Sequence, residues 1–213
     1  MRRAACLGGV VLMLAAGMTA AAGCHSVHQC PILQGLAGGR IPSPLPPAGD
    51  TYAVVGYRDG IRFYVVKYND QFYRGGDILD RRGAEALKAL GIKTIISVTP
   101  DDQERALARE FGFRLVEIPF GWNDMSQAHL DRFLAATRGS PGPFYVHSFD
   151  GINQAGILLA HYRIHVEGWP VEKALDEYWR LDANFWDSIH MVQVLKDAAT
   201  APPPAATRGA GGR

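Results

Sequence analysis

Short apolar runs alternate along the chain with stretches whose apolar residues recur every three or four positions. Two β-rich runs, 52–57 and 61–67, flank Arg58-Asp59-Gly60, a hairpin signal. A third short run covers 71–74. From there the spacing predicts a helix over 80–90, with Ala84, Leu87 and Leu90 on one face, and a buried strand over 93–98. A helix over 101–111 follows, with acidic residues in its first turn, where the macrodipole favours them. Then come a strand over 114–119, a helix over 126–137 and a strand over 144–147. Helices over 151–167, 171–179 and 185–195 complete the pattern. Strands separated by helices imply βαβ units and an α/β fold with a mostly parallel central sheet flanked by helices. In such sheets ligands bind beyond the carboxyl ends of the strands.

The two ends of the chain read differently. Arg2 and Arg3 precede an uncharged apolar stretch ending in Ala21-Ala22-Gly23-Cys24. This is the pattern of a signal peptide over 1–24, with a lipobox-like ending that nominates Cys24 for lipidation. Residues 25–50 are rich in Pro and Gly and read as a flexible tether, and 198–213, with Pro202-Pro203-Pro204, as a disordered tail. The globular domain is expected over 51–197. The expected location is the cell envelope, as a membrane-anchored lipoprotein, with secretion or the periplasm as the alternative. An apolar content of 47% supports a sizeable core. A net charge of +1 gives no footprint for nucleic acid.

The segment Phe144-Tyr145-Val146-His147-Ser148-Phe149-Asp150-Gly151-Ile152-Asn153-Gln154-Ala155-Gly156 carries the chemistry. An apolar strand enters a glycine-bearing turn and then a helix, the shape in which backbone N–H groups and a helix N-terminus converge on an oxyanion. It resembles the signature loop of the cysteine-dependent protein tyrosine and dual-specificity phosphatases. Val146, His147, Gly151 and Gly156 fall in step with that family. Phe72-Tyr73-Arg74-Gly75-Gly76 resembles the entry motif of the small bacterial members. Residues 87–98 resemble their first helix and strand. Ala160-His161-Tyr162-Arg163, then Gly168-Trp169-Pro170, resemble their post-loop helices. The resemblance implies a dual-specificity-phosphatase-like fold.

It also shows what has changed. Ser148 stands where the family has its nucleophilic cysteine, and Gln154 where it has its arginine. The cysteines, Cys6, Cys24 and Cys30, all precede the domain, and none is followed six residues later by Arg. A thiol starts near pKa ~8.5 and such loops lower it further, whereas a serine hydroxyl needs a neighbouring base. His147 is adjacent in sequence but points to the opposite face of its strand. Glutamine offers one neutral NH₂ where arginine offers a charged fork. Asp150 adds a negative charge facing any dianion. Asp124, after a strand and before a helix, matches the family's general-acid position, with a helix-start role near Ser126 as its plainer reading.

Other features read as structural. His161 and His165 sit four apart and are expected on a helix surface. Trp169, Trp179, Trp186, Tyr178 and Phe185 are expected in the core and in helix packing. Tyr162 is expected to pack and Arg163 to form an ion pair. Cys24, His25, His28 and Cys30 have ligand chemistry, but lipidation of Cys24 would leave three of them, in the tether, so no metal is expected, and no cofactor.

The loop remnant His147, Ser148, Phe149, Asp150, Gly151, Ile152, Asn153 and Gln154 is thus expected to serve a pseudophosphatase, an envelope-anchored binding or scaffold module without catalysis. Its expected partners are a weakly held anion or phospho-ligand, a protein, and the membrane through its lipid anchor. The alternatives are a divergent hydrolase using Ser148 or Asp124, and a structural lipoprotein with a closed pocket.

Overall fold

The computed structural model describes residues 45–200. The leader with Cys24, most of the tether and most of the tail lie outside the described residues. Among the described residues six strands form one sheet: β1 Ala53–Tyr57, β2 Tyr64–Lys67, β3 Phe72–Gly75, β4 Thr94–Ser97, β5 Arg114–Glu117 and β6 Phe144–His147. The helices are α1 Arg81–Ala89, α2 Asp102–Phe111, α3 Gln127–Gly139, α4 Asn153–His165, α5 Val171–Arg180 and α6 Phe185–Thr200. Strand order is β1-β2-β3-β6-β4-β5. β3, β6, β4 and β5 run parallel, and the β1–β2–β3 meander adds an antiparallel edge. Among the described residues no helix is long and apolar enough to cross a membrane.

Strand periodicity divides the core into two layers. In β6, Phe144 and Val146 join one cluster with β2, β3, β4 and α3 to α6, whereas Tyr145 faces the second, under α1 and α2. His147 follows Tyr145 by two and lies on the same side, towards α2. Asp80 caps α1 through the N–H groups of Arg82 and Gly83, and Asp101 caps α2 through that of Glu104. Gly112, at φ +67°, closes α2.

Some boundaries differ from the sequence pattern. β2 starts at Tyr64 rather than residue 61, because the turn extends through Phe63, at φ +58°. The segment assigned to the tether already packs at its end: Pro46 is buried and the Tyr52 hydroxyl donates to the Pro47 carbonyl at 2.8 Å. α6 continues to Thr200, with Leu195 and Ala198 both buried.

Two expectations about packing are corrected. His161 is buried, because α4 is covered on several sides by α3, α5 and α6. Phe185 and Trp186 are exposed, at 59% and 79%, since α6 turns its first residues outward. Trp186 meets Phe185 edge-on at 5.4 Å. Arg163 does pair, at 3.0 Å with Glu177 and 2.6 Å with Glu167, and Tyr162 packs on Phe72 at 4.4 Å between rings.

Neither ring nitrogen of His161 has a hydrogen-bond partner among the described residues. Burial, with His165 beside it, holds its pKa down to about 3. An unfolded histidine titrates near ~6.5, so the folded state resists protonation. The stability this gives is complete above about pH 6.5 and is lost as pH falls towards 3. His161→Leu should therefore flatten the acid limb. Between pH 7 and pH 5 the unmodified chain is expected to lose roughly 2 kcal/mol more than the variant in urea unfolding. Equal losses in the two proteins would remove His161 as the cause.

Candidate active-site loop

The loop Ser148–Ile152 joins the carboxyl end of β6 to α4. Its entry is fixed from below. The buried His147 places Nε2 2.5 Å from Glu104 Oε1 of α2, and the Ser97 hydroxyl of β4 donates to Glu104 Oε2 at 2.7 Å. Nδ1 of His147 lies 3.6 Å from Asp77 Oδ1, and Thr99 donates to the same oxygen at 2.8 Å. Burial alone would pull the imidazole down; the Glu104 and Asp77 carboxylates outweigh it and push it up to about 10. His147 is thus a charged strut, not a base available to a neighbouring hydroxyl.

Backbone contact shapes the rest. Gly151 has φ +75°, and a Cβ there would lie 2.0 Å from the Gly75 carbonyl oxygen. At Gly75 a Cβ would lie 2.3 Å from the Tyr145 hydroxyl, which itself donates to the Gly76 carbonyl at 2.7 Å. Gly151 requires glycine for its φ and its backbone contact, whereas a side chain at 75 would have to displace the buried Tyr145 ring. The Asp77 N–H donates to the Phe149 carbonyl at 3.2 Å, stitching the loop to the segment after β3. The Arg62 guanidinium lies 4.0 Å from the centroid of the Phe149 ring.

Ser148 is fully buried, and its hydroxyl has no hydrogen-bond partner among the described residues. Asp150 is largely buried and accepts the Ile152 N–H at 2.9 Å. The Asn153 side chain accepts the Asn184 N–H at 2.8 Å, tying the start of α4 to the start of α6. Gln154 donates its side-chain NH₂ to the Phe120 carbonyl. Asp124 is exposed and accepts the Gly121 N–H, closing its own turn, while Ser126 and His129 form the capping box of α3. His190 of α6 contacts the Met125 carbonyl at 2.8 Å. The segment bearing Asp124 is therefore held on one side by Gln154 and on the other by His190.

Beneath α4 lies Arg74 of β3, fully buried. Its guanidinium donates to the Tyr68 hydroxyl at 3.3 Å and the Leu181 carbonyl at 3.2 Å. A Cβ on Gly156 would lie 3.0 Å from its Nη1. Glu104, Asp77, Ser97 and Thr99 are site residues that sequence reasoning missed, and Arg74, noted there only within the entry motif, was given no place at the site. Glu104 carried a signal, a carboxylate one helical turn from an N-cap, but that pattern equally marks an exposed dipole partner. A separate cavity of about 200 Å³ between residues 49–52 and α5 shares no residue with the loop.

The crystal structure of TpbA from Pseudomonas aeruginosa superposes with a TM-score of 0.57 at 23% identity, covering 70% of this chain and 91% of that one. The chain has the fold of the dual-specificity phosphatases. A cysteine-to-serine variant of TpbA in complex with pTyr superposes with a TM-score of 0.56 at 24% identity, covering 73% and 100% of the two chains. A DUF442 protein from Shewanella putrefaciens gives 0.55 at 18% identity, covering 65% and 90%. In sequence, the dual specificity protein phosphatase TpbA of P. aeruginosa is 32% identical over 96 residues, 44% of either chain. The matched stretch thus spans less than half of that relative's length. No model of a known protein family matches the chain. The chain is similar to the small bacterial cysteine phosphatases named by the loop resemblance, and in its own structure Ser148 directly follows β6.

Proposed function

We propose that this is an envelope-anchored, phosphatase-like protein that binds or scaffolds without hydrolysing phosphate esters. The observation that carries the reading is the state of Ser148. The nucleophile position holds a buried hydroxyl with no hydrogen-bond partner among the described residues, and the adjacent His147 has its nitrogens turned to Glu104 and Asp77. The arginine position holds a glutamine whose NH₂ is given to Phe120. Neither an ionised nucleophile nor a bidentate cation is supplied by these two positions. TpbA with a serine in place of a cysteine is found in complex with pTyr. That supports a phospho-ligand, or a protein bearing one, as the class of partner for a loop of this shape. Burial of Ser148 also favours a second reading, a structural lipoprotein whose loop is closed.

Anchoring rests on the Arg2-Arg3 start, the apolar stretch and Cys24. Two measurements test the proposal. Purified protein should show no hydrolysis of an aryl phosphate above background between about pH 5 and 8, where a histidine-assisted nucleophile would titrate. Turnover abolished by Ser148→Ala would overturn the inactive reading. In a bacterial host with lipoprotein processing, the chain should take an acyl label that Cys24→Ala removes. A wild-type product free of lipid would overturn the anchor.

A further inference from the structure

We propose that Asp150 is a built-in ligand of its own loop, its carboxylate standing where an oxyanion would otherwise meet the loop amides. The inference rests on the reading of the loop as a phosphatase-like remnant and states how that remnant is regulated. Three observations converge. The Ile152 N–H, in the position from which a loop of this shape addresses an anion, is engaged by Asp150 Oδ1 at 2.9 Å. The carboxylate is largely buried. A buried carboxylate persists only when hydrogen-bonded and opposed by positive charge.

The opposing charge is Arg74. Its guanidinium is fully buried below the first turns of α4, and its hydrogen bonds go to a phenol and a peptide carbonyl, both neutral. A buried cation so placed needs an anion nearby. Burial opposes its charged state most; Tyr68, Tyr64 and, after them, the Asp150 carboxylate favour it. The first turn of α4 thus lies over a buried cation supplied by β3 and not by residue 154, and the Asp150 carboxylate is among the groups that favour its charged state.

The third observation is Ser148. Its buried hydroxyl, in the same loop, has no hydrogen-bond partner among the described residues. It remains as a polar group that an incoming oxyanion could engage once the internal charge is gone. With Asp150 ionised, a dianion entering the loop meets a like charge at close range, which disfavours it. Free phosphate and phosphotyrosine should therefore bind the unmodified chain weakly.

The test uses the whole chain and the Asp150→Asn variant, which keeps an acceptor for the Ile152 N–H and removes the charge. Inorganic phosphate is titrated against chloride at matched ionic strength, following thermal unfolding and amide NMR shifts of the loop; phosphotyrosine is titrated separately. The expected result is little response from the unmodified chain and at least about tenfold tighter phosphate binding by the variant. If Asp150→Asn is unstable in chloride because Arg74 has lost its counter-charge, phosphate should restore its folding. A folded variant that binds phosphate no better than the parent overturns the inference. So does an unstable variant that phosphate does not rescue, or an unmodified chain that already saturates at sub-millimolar phosphate. None of these outcomes bears on turnover, so the inactive reading stands or falls separately on the aryl phosphate assay.

Discussion

The double variant Ser148→Cys, Gln154→Arg is expected to gain a thiol that titrates well below its free value and to hydrolyse aryl phosphate weakly. A free thiol has a pKa near ~8.5, and helix N-termini and cationic neighbours lower it by several units. Here the introduced thiol would sit in the loop that leads into α4, with Arg74 buried beneath the first turn of that helix and a new guanidinium within that turn. The two changes act together. A thiolate without the arginine holds phosphate poorly, and an arginine without the thiolate has no nucleophile. In a serine protease, loss of the nucleophile costs on the order of a million-fold in rate. Partial recovery, on the order of a thousand-fold over background, is the expectation while Asp150 remains, with a further rise when Asp150→Asn is added. Asp124 lies in the segment that Gln154 fastens through Phe120, so the arginine also releases a contact that immobilises the candidate proton donor. Thiol titration and steady-state hydrolysis on the folded variant decide the matter. A thiol that titrates like a free one would show that the loop geometry no longer serves anion chemistry.

The largest expected effect on stability is from Glu104→Ala. Glu104 accepts the Ser97 hydroxyl with one oxygen and pairs with His147 through the other, all three groups being buried. Its removal leaves a charged imidazole facing an empty space and a hydroxyl without its acceptor. Breaking one side of a buried ion pair destabilises by roughly 3–5 kcal/mol. Glu104→Gln keeps the shape and part of the bonding, so the loss should be smaller, about 1–3 kcal/mol. The pH dependence carries a sign that identifies the cause. Because the folded state raises the His147 pKa to about 10, its contribution is complete below the unfolded value near 6.5 and disappears as pH climbs towards 10. The parent should weaken through that alkaline window more steeply than Glu104→Ala. Urea unfolding at pH 6, 8 and 9.5 gives both numbers. A cost below about 1 kcal/mol, or parallel alkaline limbs, would remove the pair from the list of what holds the loop.

The fold was legible because strand and helix periods alternate cleanly from residue 71 onward and because the loop motif sits between a strand and a helix. The facing of His147 followed from the two-residue period of β6 alone. Its partner did not. Glu104 is close to Asp101 and Asp102 in sequence, and nothing local says that one carboxylate turns under the sheet while Asp102 stays in solvent. The role of Arg74 was hidden for a similar reason, since a strand position reports which face a side chain takes but not which helix crosses it. His161 was misplaced because a helix that is covered on several sides loses its polar stripe, and two histidines at helical spacing imitate one. The exposed Phe185 and Trp186 failed in the opposite direction, since aromatic content alone does not say which way a helix end is turned.

Gly151 and Gly75 meet backbone to backbone; a side chain at 151 would run into the Gly75 backbone, and one at 75 into the buried Tyr145 ring. They set the form of the loop, together with the His147–Glu104 pair below it, from positions other than 148 and 154, where the loop resemblance places the reactive groups. Form and reactivity are thus carried by separate atoms. A lineage could exchange the residues at 148 and 154 without unfolding the cup, and the cup could then be kept for a different purpose. Drift at 75 or 151 would have the reverse outcome, erasing the cup while leaving any reactive group intact but unplaced.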